Sequence, residues 1–204
     1  MTTDDQCFLV EALAPLCAPL HEAIQDGFEM ADRYFLEHNF VTSGYEWFRA
    51  HLVRAHSLRH FQEQPVAGFE LAPIHRNGEF LLRRELLAVR VLRDGRTGLI
   101  PAPGPNHARR RFYMNQQLTF FGPASSMLLA LWSAEPDSGD VTIRVVRPVG
   151  QWRYGSMAKL DLEFVLPNEG ERLADLEFVP TDEDMEVLIP MERELGDDAG
   201  TTAG

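Results

Sequence analysis

Pro101-Ala-Pro-Gly-Pro-Asn-His-Ala-Arg-Arg-Arg-Phe-Tyr-Met-Asn-Gln-Gln-Leu-Thr-Phe-Phe-Gly122 divides the strand-like half of this 204-residue chain in two. Three prolines and a glycine close the apolar run before it, since proline has no N–H for a ladder and glycine admits turns. Three consecutive arginines, two aromatic residues and amide side chains follow. The stretch is either a binding loop or a long ordered crossover between hairpins, and its flanks decide what it joins.

Upstream, short Val/Leu/Ile-rich runs separated by turn residues predict strands over 69–74, 79–83 and 86–93. Arg76-Asn77-Gly78 separates the first two, and Asn-Gly is a strong hairpin signal because both residues tolerate positive φ. Downstream, 126–134 and 140–147 flank the turn Glu135-Pro-Asp-Ser-Gly139, and 157–166 alternates Leu160, Leu162 and Phe164 with Asp161 and Glu163. Six such strands predict an α+β fold, with N-terminal helices packed on a mainly antiparallel sheet.

Those helices occupy residues 1–64. Asp4 or Asp5 is placed to cap the run from Cys7, and Pro15 and Pro19 split the region, leaving 20–36 as a second helix with Gly27 inside it. Thr42 or Ser43 is placed to cap a third helix over 45–62. On it Trp47, Phe48, His51, Leu52, Ala55 and Leu58 share an arc of about 140°, the expected buried stripe. Residues 65–166 hold the sheet of the same domain, and 167–204 read as an acidic, partly disordered tail with apolar islands at Leu176-Glu-Phe-Val179 and Met185-Glu-Val-Leu-Ile189.

Composition supports a chain able to bury one core, with 45% apolar and 25% charged residues. Cys7 and Cys17 cannot make a disulfide framework, which favours a reducing, cytoplasmic setting. Neither a leader-like N-terminus nor a run of about 18 apolar residues is visible, so no membrane association is expected. The net charge of −12 is unevenly spread: −7 over residues 1–75, +7 over 76–160 and −12 over 161–204. Of 19 basic residues only Lys159 is lysine, which suits bidentate anion contacts and equally suits an arginine-rich coding bias.

Arg109, Arg110 and Arg111, with Tyr113, Asn115, Arg144, Arg147 and Arg153, are the candidate partner- or anion-binding residues. Guanidinium groups after a Pro/Gly turn suit a phosphate, and Phe112 and Tyr113 suit stacking on bases. The same arginines suit an acidic protein partner, or the chain's own carboxylates, including the tail lying over them. The negative total opposes nonspecific nucleic-acid binding.

Two weaker constellations concern catalysis and metal. Asp161 and Glu163 alternate with Lys159 on one strand and so are expected to share a face, as a metal-dependent nuclease would need. An exposed amphipathic strand gives the same pattern. His56 and His60, at i and i+4, suit one metal ion, but Ser57 stands where a metalloprotease helix has Glu, and both fit a solvated face. Trp152-Arg-Tyr-Gly155 suits either a ligand lip or a plug at the end of the sheet. No nucleotide-binding glycine loop, nucleophile elbow or paired-cysteine motif is present, and no cofactor is expected.

The pattern Pro101-x-Pro-Gly-x-Asn-x-Ala-Arg-Arg-x-Phe-Tyr-x-Asn115, with Arg144-Val-Val-Arg-Pro148 and Lys159-Leu-Asp161, resembles a group of uncharacterised actinobacterial proteins over residues 45–190. The resemblance implies neighbouring genes for regulators that join a helix-turn-helix to an ImmA/IrrE-like metallopeptidase domain. Such pairings are similar to toxin–antitoxin and phage-regulation modules. It implies no fold, activity or catalytic residue, only a partner. The functional expectation is therefore a cytoplasmic interaction protein, antitoxin-like or accessory to a regulator, with a nuclease-like enzyme as the alternative.

Overall fold

The structure, a computed structural model, describes residues 3–73, 79–95, 100–103, 107–114, 126–135, 139–150 and 158–175. Helix α1 (Thr3–Leu13) meets a single tight turn (Ala14–Leu16), then α2 (Cys17–Glu37) and α3 (Glu46–Glu63). Pro15 falls inside the tight turn and Pro19 in the first turn of α2, where a missing N–H removes no helical bond. The break is therefore where the prolines predict it.

Within Cys7–Glu37 one 18-residue window reaches a mean hydropathy of 1.4, long and apolar enough to cross a membrane by length and composition. Leu9, Leu13, Leu16, Leu20, Ile24 and Phe28 of this segment are all buried in the core.

Six strands follow: β1 (Glu70–Leu71), β2 (Leu81–Arg84), β3 (Leu87–Arg93), β4 (Ser126–Ala134), β5 (Val141–Val149) and β6 (Lys159–Val165). They lie in sequence order in one sheet. Every neighbouring pair is antiparallel except β3 and β4, which are parallel in the register Leu87↔Ser126 to Arg93↔Trp132. A parallel pair needs a crossover rather than a hairpin. The 101–122 stretch supplies it, with α4 (His107–Met114) in its middle. The predicted Asn77-Gly78 turn lies outside the described residues.

The sheet is covered on both sides. Leu82, Val89, Leu128, Ala130, Val145 and Leu162 pack with α1–α3, whereas Leu81, Leu129, Leu131 and Val146 pack with Phe112 and Tyr113 of α4. Strand β4, buried on both faces from Leu128 to Trp132, accordingly reads as an almost unbroken apolar run. Its hairpin to β5 closes with Gly139 N–H donating to the Glu135 carbonyl, and Gly139 takes a φ of +74° that side chains resist.

Two N-terminal expectations are corrected. Neither Thr42 nor Ser43 caps α3 through its side chain; Tyr45 occupies the capping position, and its N–H donates to the Thr42 carbonyl at 3.2 Å. The buried face of α3 is Val53, Ser57, Leu58 and Phe61, while Trp47, His51 and Ala55 face solvent. Gly27 explains the rotation. A Cβ there would lie 2.7 Å from the Val53 carbonyl oxygen and 2.9 Å from Ser57 Oγ, so α2 and α3 touch backbone to backbone. The Ser57 hydroxyl lies 2.8 Å from both the Ala23 and Val53 carbonyl oxygens, which satisfies it in the buried contact.

The start of the acidic segment packs on the body. Residues Gly170–Asp175 form a short helical turn packed beside the Ala14 turn, with Leu173 buried and Gly170 too close to the Ala14 carbonyl to carry a Cβ. Residues 176–204 lie outside the described residues.

Candidate functional site

Among the described residues, the candidate arginines lie on two elements, Arg110 on α4 and Arg144 and Arg147 on β5. Arg109–Arg111 lie on α4, where Arg110 is exposed; the side chains of Arg109 and Arg111, and all of Asn115 and Arg153, are outside the described residues. Tyr113 is 2% exposed and Phe112 is buried beside it, their ring centroids 6.4 Å apart over the sheet. The expectation that these two aromatics stack on bases is therefore corrected: they are what α4 buries.

Arg144 and Arg147 on β5 are held by carboxylates. Arg144 donates to both oxygens of Asp94 at 3.1 Å and to Glu163 Oε1 at 2.7 Å. Burial works against its charge, but the hydrogen bonds to Glu163 and Asp94 outweigh burial and raise its pKa. Arg147 makes a forked contact with Asp161, 2.7 Å from Nε to Oδ1 and 2.9 Å from Nη2 to Oδ2. The arginines thus bind the chain's own carboxylates.

The same register corrects the Lys159, Asp161, Glu163 set. Leu160 pairs with Pro148 and Leu162 with Arg147, so Asp161 is the extra residue of a bulge. Lys159 lies opposite Val149 and Glu163 opposite Val146, three positions apart on β5 and hence on opposite faces of the sheet. Strict alternation predicts one face; the bulge removes it. Asp161 and Glu163 are two ends of separate ion pairs rather than a converging pair.

His60 Nδ1 lies 3.3 Å from Asp26 on α2, so His60 turns to the neighbouring helix rather than to His56. Among the described residues no group of three His, Cys, Asp or Glu is placed to hold a metal ion.

What the sequence reading missed is the tip of the α2–α3 hairpin. Tyr34, Phe35, Phe40 and Phe48 form a continuous aromatic platform with ring centroids 5.5–6.2 Å apart. Tyr45 stands edge-on to Phe40 at 5.2 Å, and Trp47 leans on Phe48 at 5.7 Å. Leu36, Val41 and Trp47 are nevertheless 79%, 66% and 62% exposed. The helical wheel held part of the signal: of its stripe, Leu58 is buried and Phe48 and Leu52 half-buried, while Trp47, His51 and Ala55 face out.

Single exposed apolar residues are ordinary; Leu36, Val41 and Trp47 are each next in sequence to a ring of the platform, so their exposure concentrates at one end of the helical hairpin. Trp and Tyr also lose little conformational entropy on contact and dominate binding energy where they occur at interfaces. Compared with known proteins, the chain matches no family model, no curated sequence and no solved structure.

Proposed function

We propose that this chain is an interaction protein whose partner is another protein, and that the partner lays apolar side chains on the α2–α3 tip. The observation that carries the reading is the exposure of Leu36, Val41 and Trp47 over a filled aromatic platform. The ion pairs of Arg144 and Arg147 support it indirectly, because they commit to internal contacts two of the arginines expected to bind a partner. The resemblance to proteins encoded beside helix-turn-helix regulators makes a regulator the partner to test first, in an antitoxin-like or accessory role. Cys7 and Cys17 are both free, and burial pushes the Cys17 thiol up to about 11, which fits a reducing, cytoplasmic setting. The nuclease-like alternative gains no support, since Asp161 and Glu163 already neutralise arginines.

The test is recovery of the full chain with a stoichiometric partner from its native host, followed by affinity measurements on purified components. The Leu36→Ser/Trp47→Ser double variant is expected to lose about tenfold or more in affinity, whereas Arg110→Gln binds as the parent chain does. A clean monomer at every ionic strength, or a partner that ignores the double variant and requires Arg110, would sink the reading.

A further inference from the structure

A second feature lies below the tip, where the hairpin leans over the carboxyl ends of β3 and β4. These are the strands of the parallel pair, and such ends are where α/β sheets commonly place ligands. A cleft of about 200 Å³ opens there between Phe28, Thr42, Glu46 and Arg49 on the helical side and Arg93 and Trp132 at the strand ends. The volume falls below the ~300–1,000 Å³ of clefts that take drug-sized ligands, so its occupant is smaller.

The walls have distinct chemistries. Phe28 and Trp132 meet edge to face, centroids 6.4 Å apart at 85°, and make an apolar corner. The Arg49 Cζ lies over Phe28, 3.9 Å from the ring centroid, with its Nε 2.6 Å from Asp32 Oδ1. Arg49 is thereby fixed and largely neutralised. Arg93 differs. It donates one N–H to the Glu46 carbonyl at 3.1 Å, and among the described residues it pairs with no carboxylate. Its neighbour Asp94 does not neutralise it, because successive strand residues point to opposite faces and Asp94 is committed to Arg144.

We propose that this cleft binds a small organic anion, a carboxylate or phosphate carried on a single ring, with Arg93 gripping the anion and the Phe28–Trp132 corner covering the ring. A guanidinium already oriented by a backbone carbonyl has little freedom left to lose on binding, and its planar fork matches either oxyanion. Thr42 adds a hydroxyl at the rim. The exposed apolar residues Leu36, Val41 and Trp47 do not line the cleft, although Thr42, Glu46 and Arg49 of the same hairpin do.

The experiment titrates the full chain with benzoate, phenyl phosphate and inorganic phosphate while following the indole N–H resonances, that of Trp132 being identified by its loss in Trp132→Phe. The expected result is a saturable shift of the Trp132 resonance with at least one ring-bearing anion, weakened about tenfold or more by Arg93→Gln. Trp47 should not move. The tighter of benzoate and phenyl phosphate then identifies the oxyanion. A shift that never saturates, one that Arg93→Gln leaves unchanged, or inorganic phosphate binding as tightly as phenyl phosphate would each overturn the proposal.

Discussion

Arg144 and Arg147 on β5 sit among carboxylates of their own chain, while Leu36, Val41 and Trp47 at the α2–α3 tip stand in solvent above a packed aromatic cluster. In the sequence the emphasis is reversed, with arginines conspicuous in an acidic protein and Trp47 lying on an ordinary amphipathic helix. The difference follows from desolvation. A partly buried guanidinium must find a carboxylate or lose its hydration uncompensated, so the sheet supplies Asp94, Asp161 and Glu163. An aromatic ring can remain exposed at little cost, so exposure is the more informative state. Charge here reports how the fold is held.

The comparison can be broken first at the contact that builds the tip. Gly27→Val is expected to lower the unfolding free energy by about 3 kcal/mol, because its Cβ would meet the Val53 carbonyl oxygen at 2.7 Å. Urea unfolding measures this, and a change within about 0.5 kcal/mol would mean that the helices do not cross so closely.

Next come the ion pairs. Arg144→Gln and Arg147→Gln should each cost about 2 kcal/mol, below the range for fully buried pairs because Glu163 and Asp161 are partly exposed. If either variant unfolds as the parent does, the arginines are not structural and the contrast with the tip fails.

A smaller effect is expected at His21, whose Nε2–H donates to the Leu166 carbonyl at 2.9 Å. Burial, outweighing that hydrogen bond, lowers its pKa below the ordinary 6.5. The unfolded chain then takes up the proton first as the pH falls. Stability from this group is full above the ordinary value and is lost as the pH drops through it toward the lowered one. His21→Asn should flatten that part of the stability–pH profile; an identical profile would remove His21 from the account.

The smallest change belongs to the tip itself. Trp47→Ala should alter stability by no more than about 0.5 kcal/mol, although it removes the largest exposed ring among the described residues. A loss of several times that size would make Trp47 a packing residue and erase the distinction drawn above.

Much of the fold was legible because local pattern and tertiary role agreed. The apolar runs gave all six strands, and β3 and β4 begin and end within a residue of their predicted limits. The prolines gave the division between α1 and α2. The parallel pair was not legible, because Phe112 and Tyr113 beside three arginines resemble a binding loop until α4 is seen burying both against Leu129 and Leu131. The face of α3 was misjudged for a related reason. Gly27, Ala23 and Ser57 make the closest helix contact, and residues so small carry no weight on a hydrophobic wheel. Asp161 and Glu163 failed as a common face because a bulge is invisible in a strand's alternation.

We propose that a partner protein meets the aromatic tip and leaves the arginine-bearing strands alone. Hydrogen–deuterium exchange on the full chain, with and without its stoichiometric partner, tests it most directly. Partner-induced protection confined to residues 35–49 and the adjoining α3 surface is the predicted result. Protection of β5, β6 or α4 with unchanged exchange at the tip would contradict it.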